Sequence, residues 1–138
     1  MKHLTLPNDI EEITQLNDLV IEYCEGQGID MDVAMNLTLA IEETVVNVMS
    51  YAYPEGTVGH VDIDMDVDAE NITFVISDKG KPFDPTQKEA PDITLPAEER
   101  GIGGLGIHLI RKYMDSINYE RHEGHNILTL RKRIEHLD

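Results

Sequence analysis

The order of helical and strand-like segments leaves few folds open to this chain. Residues 3–6 alternate like a short strand, and apolar residues then recur at three- and four-residue steps in residues 8–27 and 30–52. The steps predict two successive amphipathic helices, with Asn8 capping the first. Strict alternation in residues 59–67 and 71–77 predicts a hairpin. A third helix is predicted at about residues 105–114, followed by a closing hairpin of residues 116–121 and 126–133.

This order is not the strand–helix alternation of a doubly wound parallel sheet. It predicts an α+β fold, a two-layer sandwich in which a mixed, mostly antiparallel sheet of about five strands carries three helices on one face. No internal repeat or linker interrupts the pattern. We therefore expect one domain over residues 1–138.

Charge limits the binding partners of the chain. Its formal net charge is −16, from 27 acidic and 11 basic side chains. A surface of this kind repels nucleic acid and suits a basic protein partner, although the acid could also serve solubility alone. Cys24 is the single cysteine, and no apolar run approaches the length of a membrane span or a signal-peptide core. We therefore expect a cytoplasmic protein that contacts neither nucleic acid nor membrane.

The second predicted helix carries a polar pair beside its apolar face. At 100° per residue, Leu37, Ile41 and Val48 point in one direction, whereas Glu43 and Asn47 lie one turn apart at its margin. A carboxylate and a carboxamide there could hold a hydrated Mg²⁺ and orient a nucleophile. The alternative is that both are ordinary boundary residues.

Asp78 and Gly80 follow the apolar run of the second predicted strand. A carboxylate at a sheet edge can accept a hydrogen bond from the exocyclic amino group of a base, and a neighbouring glycine lets a flat ring approach the backbone. The alternative is a simple turn, for which aspartate and glycine are common.

A glycine-rich segment opens the third predicted helix. Gly101, Gly103, Gly104 and Gly106 match Gly-x-Gly-x-x-Gly, with Ile102 and Leu105 between them, but the long polar loop of residues 79–100 precedes them instead of an N-terminal strand. The context rules out a dinucleotide-binding βαβ unit. Backbone N–H groups at a helix start can still hold phosphates, and Arg100 could offset the charge of the chain. The alternative is a flexible hinge, and the preceding loop has the length of a lid.

Taken in register, the three segments resemble the N-box, G1 box and G2 box of the GHKL ATP-binding superfamily. The matching segments are Glu43–Asn47 on a helix, Asp78–Pro85 with its Asp-x-Gly-x-Pro-Phe-Asp-Pro run, and Gly103–Ile110. The nearest likeness is to the bacterial anti-sigma-factor serine kinases of the RsbW and SpoIIAB type, which have the histidine-kinase-like (Bergerat) ATPase fold.

The resemblance implies a function and roles for particular residues. Glu43 matches the general base, and Asn47 matches the Mg²⁺ ligand. Asp78 matches the acceptor of the adenine amino group, with Gly80 beside it, and Gly104 and Gly106 match the phosphate-facing glycines. We expect ATP to contact the whole segment of Arg100, Gly101, Gly103, Gly104, Leu105 and Gly106. The implied cofactors are ATP and Mg²⁺. The implied activity is phosphorylation of a STAS-domain anti-anti-sigma protein, with sequestration of an RNA polymerase sigma factor by a homodimer.

One position departs from the family pattern. Many relatives have a Gly-Thr pair entering the last strand, whereas Gly124 is followed here by His125 and Asn126. A third adenine contact therefore stays open. Two other functions are also compatible with the sequence: a non-catalytic nucleotide-binding anti-sigma module, and a protein-interaction domain that binds no nucleotide.

Overall fold

The computed structural model describes residues 2–53, 59–85 and 106–134. Five strands and three α-helices follow in chain order, with a short 3₁₀ turn at Ile10–Glu12 before the first helix. The strands are β1 (Lys2–Pro7), β2 (His60–Val67), β3 (Asn71–Asp78), β4 (Ser116–His122) and β5 (His125–Arg133). The helices are α1 (Ile13–Gly26), α2 (Met31–Tyr51) and α3 (Gly106–Tyr113).

Side-chain caps set the beginnings of the helical segments. Asp30 caps α2 by accepting a hydrogen bond from the Asp32 N–H at 3.0 Å. Before α1, Asp9 accepts from the Glu11 N–H at 3.0 Å. The predicted cap at Asn8 is therefore wrong by one residue, because a 3₁₀ turn precedes the α-helix. Gly28, with φ of +74°, turns the chain from α1 into α2.

The sheet has the strand order β1-β2-β3-β5-β4, and all four pairings are antiparallel. The predicted α+β sandwich is thus confirmed, with antiparallel pairing between all described neighbours in place of a mixed sheet. β5 lies between β3 and β4, so β3 and β4 run in the same direction without touching. The chain passes from β3 to β4 through α3.

One face of the sheet forms one side of the core. Inward residues alternate along β2, β3 and β5, and they pack with the apolar faces of the helices; among them are Val61, Ile63, Met65, Ile72, Phe74, Ile76, Leu128 and Leu130. Helix α2 is central, since it contacts both α1 and α3. No helix in the described ranges is long and apolar enough to cross a membrane.

Candidate functional site

Asn47 is the most unusual side chain of the central helix. It is 1% exposed, and both its Oδ1 and its Nδ2 atoms lack a hydrogen-bond partner among the described residues. Leaving a buried polar group unpaired costs about 1–3 kcal/mol. The sequence placed Asn47 at the margin of the core, and the structure buries it fully. An amide held in this way has its acceptor oxygen and both N–H groups available for a ligand.

Glu43 lies one turn before Asn47 on the same helix and is partly buried. Loss of solvent raises the pKa of the Glu43 carboxyl above its ordinary value, and the negative charge of Glu42 raises it further. Glu42 itself accepts a hydrogen bond from the Asn17 amide on α1 at 3.3 Å. Glu43 therefore combines a raised proton affinity with a position one turn from an unsatisfied amide.

Asp78 is the last residue of β3 and is 2% exposed. Its Oδ1 atom accepts hydrogen bonds from the Gly80 N–H at 2.7 Å and from the Asn126 amide at 3.0 Å. Burial raises the pKa of the Asp78 carboxyl, whereas these two bonds and the nearby Arg121 and His125 lower it. One oxygen is thus held by the protein, and no hydrogen bond from the described residues occupies the other.

The segment after Asp78 is packed against the C-terminal end of α2. The Lys81 N–H donates to the Ala52 carbonyl at 2.8 Å, and the Arg121 guanidinium donates to the Gly80 carbonyl at 2.8 Å. A Cβ atom on Gly80 would lie 2.4 Å from the Ala52 oxygen, so only glycine fits. The rings of Tyr51 and Phe83 stack at 5.2 Å nearby. These contacts bring Asp78 and Gly80 to the helix that carries Glu43 and Asn47.

Asn126 is a site residue that the sequence analysis did not identify. It pairs with Asp78 across β3 and β5 and is 4% exposed. Its amide donates to Asp78 and to the Lys81 carbonyl at 2.8 Å, and its carbonyl oxygen accepts from the Phe83 N–H and the Tyr119 hydroxyl. Asn126 therefore fixes both Asp78 and the loop that follows it. Asn126 lies two residues after Gly124, in the segment that lacks the Gly-Thr pair of many relatives.

The predicted phosphate-binding segment is only partly described. Gly106 is the first residue of α3, as expected for the end of a glycine-rich helix start. Arg100, Gly101, Gly103, Gly104 and Leu105 lie outside the described residues, as do residues 86–99 of the predicted lid. The last turn of α3 carries Arg111 and Lys112.

A cavity of about 730 Å³ opens beside the same corner of the sheet. Asp78 and Gly80 contribute to its lining, but Glu43 and Asn47 do not. Thr5 and Asp62, which also line it, belong to the sheet face that points away from the helices. The cavity therefore lies at the end of the sheet that carries Asp78, beside the C-terminal end of α2.

The buried amide oxygen of Asn47 suits a metal ion whose other ligands come from a bound molecule and water. Within the described ranges no three His, Cys, Asp or Glu side chains lie close enough to hold a metal ion. The unpaired Oδ1 atom of Asn47 fits Mg²⁺, which prefers oxygen ligands and is commonly held by one or two protein groups together with phosphates and water. The remaining Asn47 N–H donors suit a phosphate oxygen or a metal-bound water.

Comparison with known proteins identifies the family of this chain. Residues 6–132 match the histidine kinase-like ATPase domain family. The chain is 31% identical to the serine/threonine-protein kinase BtrW of Bordetella bronchiseptica, over 68% of this chain and 66% of that protein. It is also 31% identical to the serine-protein kinase RsbW of Bacillus cereus, over 91% of this chain and 80% of the relative. The chain spans slightly less than two thirds of BtrW and 63% of the Bacillus subtilis RsbW.

Solved structures support the fold at low sequence identity. The RsbU and RsbW domains from Mycobacterium tuberculosis align with a TM-score of 0.63 and 15% identity, over 97% of this chain and 33% of that one. The Acinetobacter baumannii histidine kinase AdeS aligns with a TM-score of 0.53 and 14% identity, over 97% and 69% of the two chains. The chain belongs to the histidine kinase-like ATPase domain family, in the branch that contains the RsbW and BtrW kinases.

Proposed function

We propose that this protein is an ATP- and Mg²⁺-dependent serine/threonine protein kinase and anti-sigma factor. Its substrate would be a STAS-domain anti-anti-sigma protein, and its second partner an RNA polymerase sigma factor held by a cytoplasmic homodimer. The observation that carries the proposal is the buried, unpaired Asn47 amide, one turn from Glu43 on the helix against which the Asp78–Gly80 corner packs. Relatives named as serine-protein kinases support the reaction type.

The proposed roles follow from the chemistry of each side chain. Asp78 would accept a hydrogen bond from the adenine amino group through its second carboxylate oxygen, and Gly80 would leave room for the ring. Asn47 would hold Mg²⁺, which when bound neutralises charge on the phosphates. Arg100 and the glycines at 101, 103, 104 and 106 would contact the phosphates, together with the Leu105 backbone.

Glu43 would accept the proton of the attacking hydroxyl. Phosphoryl transfer depends mainly on positioning and charge neutralisation, so a base on a rigid helix beside the metal ligand is well placed. The partly buried environment raises the proton affinity of Glu43 and so improves it as a base. In the transfer, the substrate oxygen bonds to the γ-phosphorus as the bond from that phosphorus to the β–γ bridging oxygen of ATP breaks. ADP leaves, and the hydroxyl proton passes to Glu43.

The proposal is tested in two stages. Thermal melts with Mg-ADP test binding: a ligand present at about 100 times its dissociation constant adds about 2.7 kcal/mol to stability. Incubation with γ-labelled ATP and the purified STAS-domain proteins of the host, one at a time, tests transfer. An unmoved melting temperature at millimolar Mg-ADP would contradict nucleotide binding. Binding without transfer would contradict the kinase activity and favour a non-catalytic anti-sigma module.

Replacing Asn47 by Leu should make the nucleotide-free protein more stable. The change removes two unpaired buried polar atoms at similar volume, so we expect the free energy of unfolding to rise by about 1–3 kcal/mol. The same variant should lose the Mg²⁺-dependent part of the stabilisation by ADP. Urea denaturation with and without Mg-ADP measures both effects. A variant less stable than the wild type would show that Asn47 serves the fold instead of a ligand.

As the pH is lowered, the transfer rate should begin to fall at a higher pH than it would for a glutamate with an ordinary pKa. The base is active only when it is deprotonated, and burial and Glu42 raise its pKa, so protonation begins sooner as the pH falls. Glu42→Gln removes the second contribution and should shift the acid limb to lower pH. Single-turnover transfer rates between about pH 4 and 8, at saturating nucleotide, measure the shift. An acid limb that does not move in Glu42→Gln would contradict the coupling of the two carboxylates.

A further inference from the structure

The outer face of α2 is apolar where a surface helix is usually polar. Four residues of α2 are exposed, and three of them are large and apolar. Met31, Met35 and Leu39 are 47%, 55% and 44% exposed, respectively. They are spaced four residues apart and so lie along one side of the helix, a set that we call the α2 stripe. The buried side of α2 already contacts the sheet core, α1 and α3. The stripe is thus additional to the core.

The first two helices, with the turn before α1, carry charge of one sign, whereas α3 carries Arg111 and Lys112. The segments Ile10–Glu12, α1 and α2 contain eight acidic side chains and no lysine, arginine or histidine; the eight are Glu11, Glu12, Asp18, Glu22, Glu25, Asp32, Glu42 and Glu43. Charge is therefore segregated, since ten of the 11 basic residues come after residue 78. An apolar stripe on the acidic pair of helices α1 and α2 is complementary to an apolar patch bordered by lysine and arginine.

The α2 stripe leads to the candidate site. Leu39 is four residues before Glu43, a distance of about 6 Å along the helix axis. A macromolecule seated on the stripe would therefore lie within about one helical turn of the proposed base. Methionine suits such a surface, because its unbranched side chain adapts to the shape of a partner.

Charge also decides between possible occupants. In a two-fold symmetric dimer formed through the α2 stripe, the acidic α1 and α2 helices of the two copies would meet, which is unfavourable. Nucleic acid is repelled for the same reason. We propose that the α2 stripe docks the protein substrate, through an apolar patch with a basic border on that protein. This inference rests on the proposed function, because it assigns the surface to the protein that is phosphorylated.

The test uses the full chain, Mg-ATP and the STAS-domain protein that the wild type phosphorylates. Met31→Gln, Met35→Gln and Leu39→Gln are combined, since glutamine keeps helix propensity on an exposed face. We expect KM for the protein substrate to rise by about 10–100-fold, as for loss of an interface centre, with kcat and the Kd for Mg-ADP unchanged. Ile10→Gln is the matched control: Ile10 is 56% exposed but lies before α1, away from the stripe. It should leave KM unchanged.

Two substitutions of opposite charge at one position distinguish the contribution of the basic border from that of the apolar contact. Met35→Glu and Met35→Lys both remove the same apolar side chain, and they differ mainly in the sign of the charge that replaces it. A partner with a basic border should tolerate the glutamate better, so KM should increase in the order wild type, Met35→Glu, Met35→Lys. Equal or reversed effects of the two variants would overturn the assignment of a basic partner.

Failure of this inference can be distinguished from failure of the kinase proposal. If the wild type binds Mg-ADP but transfers no phosphate, the kinase proposal fails, and docking is read instead as the Kd of each STAS-domain protein by calorimetry. A triple variant with unchanged KM, or with unchanged Kd in that case, overturns the docking surface. So does a wild type that binds none of these proteins, or a triple variant that only changes self-association in sedimentation.

Discussion

Glu43→Gln is expected to reduce phosphoryl transfer by about 10²–10⁴-fold while the Kd for Mg-ADP stays within about twofold of the wild type. Glutamine keeps the shape of the side chain but cannot accept a proton at neutral pH. Removing the negative charge also relieves its repulsion with Glu42, so the fold should not suffer. Single-turnover transfer at saturating ATP isolates the chemical step from binding.

Glu42→Gln is the matched control for this substitution. Glu42 lies next in the chain, has the same side chain and bonds to Asn17 on the α1 side of the helix. At neutral pH its replacement should leave the transfer rate near that of the wild type. If Glu43→Gln transferred phosphate at the wild-type rate, or if both substitutions lowered the rate equally, Glu43 would not be the base.

Asp78→Asn is expected to weaken ADP binding by about 10–100-fold, the effect of losing a hydrogen bond to a charged acceptor, about 1.5–3 kcal/mol. Three donors would face this side chain in the complex: the Gly80 N–H, the Asn126 amide and the adenine amino group. The carboxylate can accept from all of them, whereas an asparagine offers one acceptor and turns its own N–H groups toward the others. Calorimetric titration with ADP measures the loss, and denaturation should show a lower free energy of unfolding as well.

Asp62→Asn is the control that tests which cavity the nucleotide occupies. Asp62 lines the cavity at the end of the sheet and accepts from the Thr5 hydroxyl at 2.6 Å, on the face away from the helices. Its replacement should leave the Kd for ADP unchanged. If Asp62→Asn weakened ADP binding as strongly as Asp78→Asn, the ligand would occupy that outer cavity and the proposed site would be wrong.

Most of the fold could be predicted from periodicity, because each element buries one side consistently over its length. Polar and apolar residues alternate without interruption in residues 60–67, so both the strand and its inward face could be predicted. Alternation does not reveal which strand lies next to which. The placement of β5 between β3 and β4 therefore appeared only in the structure. The one-residue error at Asn8 arose because either Asn8 or Asp9 can cap a helix, and only backbone geometry decides.

The candidate site was predictable where its residues share a short segment. Glu43 and Asn47 have helical spacing, and Asp78 ends an apolar strand. The full burial of Asn47 depends on what packs over α2, which a helical projection does not contain. Asn126 was missed because a single asparagine in a strand has no spacing signature. The feature that could have identified Asn126 is its inward position in the alternation of β5, two residues before Leu128. Asn126 also lies opposite Asp78, the inward polar residue of β3.

The position of β5 in the sheet has a consequence for biosynthesis. Of the described strands, the one synthesised last is an interior strand, and it brings Asn126, whose amide donates to Asp78 and to the Lys81 carbonyl. While a ribosome still covers β5, β3 has an unpaired edge, and the corner proposed to bind adenine lacks the hydrogen bonds of Asn126. Pairing of β3 with β5 must also close a long loop, which is a slow step. A nascent chain of this protein should therefore gain its ligand affinity only after β5 has left the ribosome, and a truncation before β5 should expose an unpaired sheet edge that promotes aggregation.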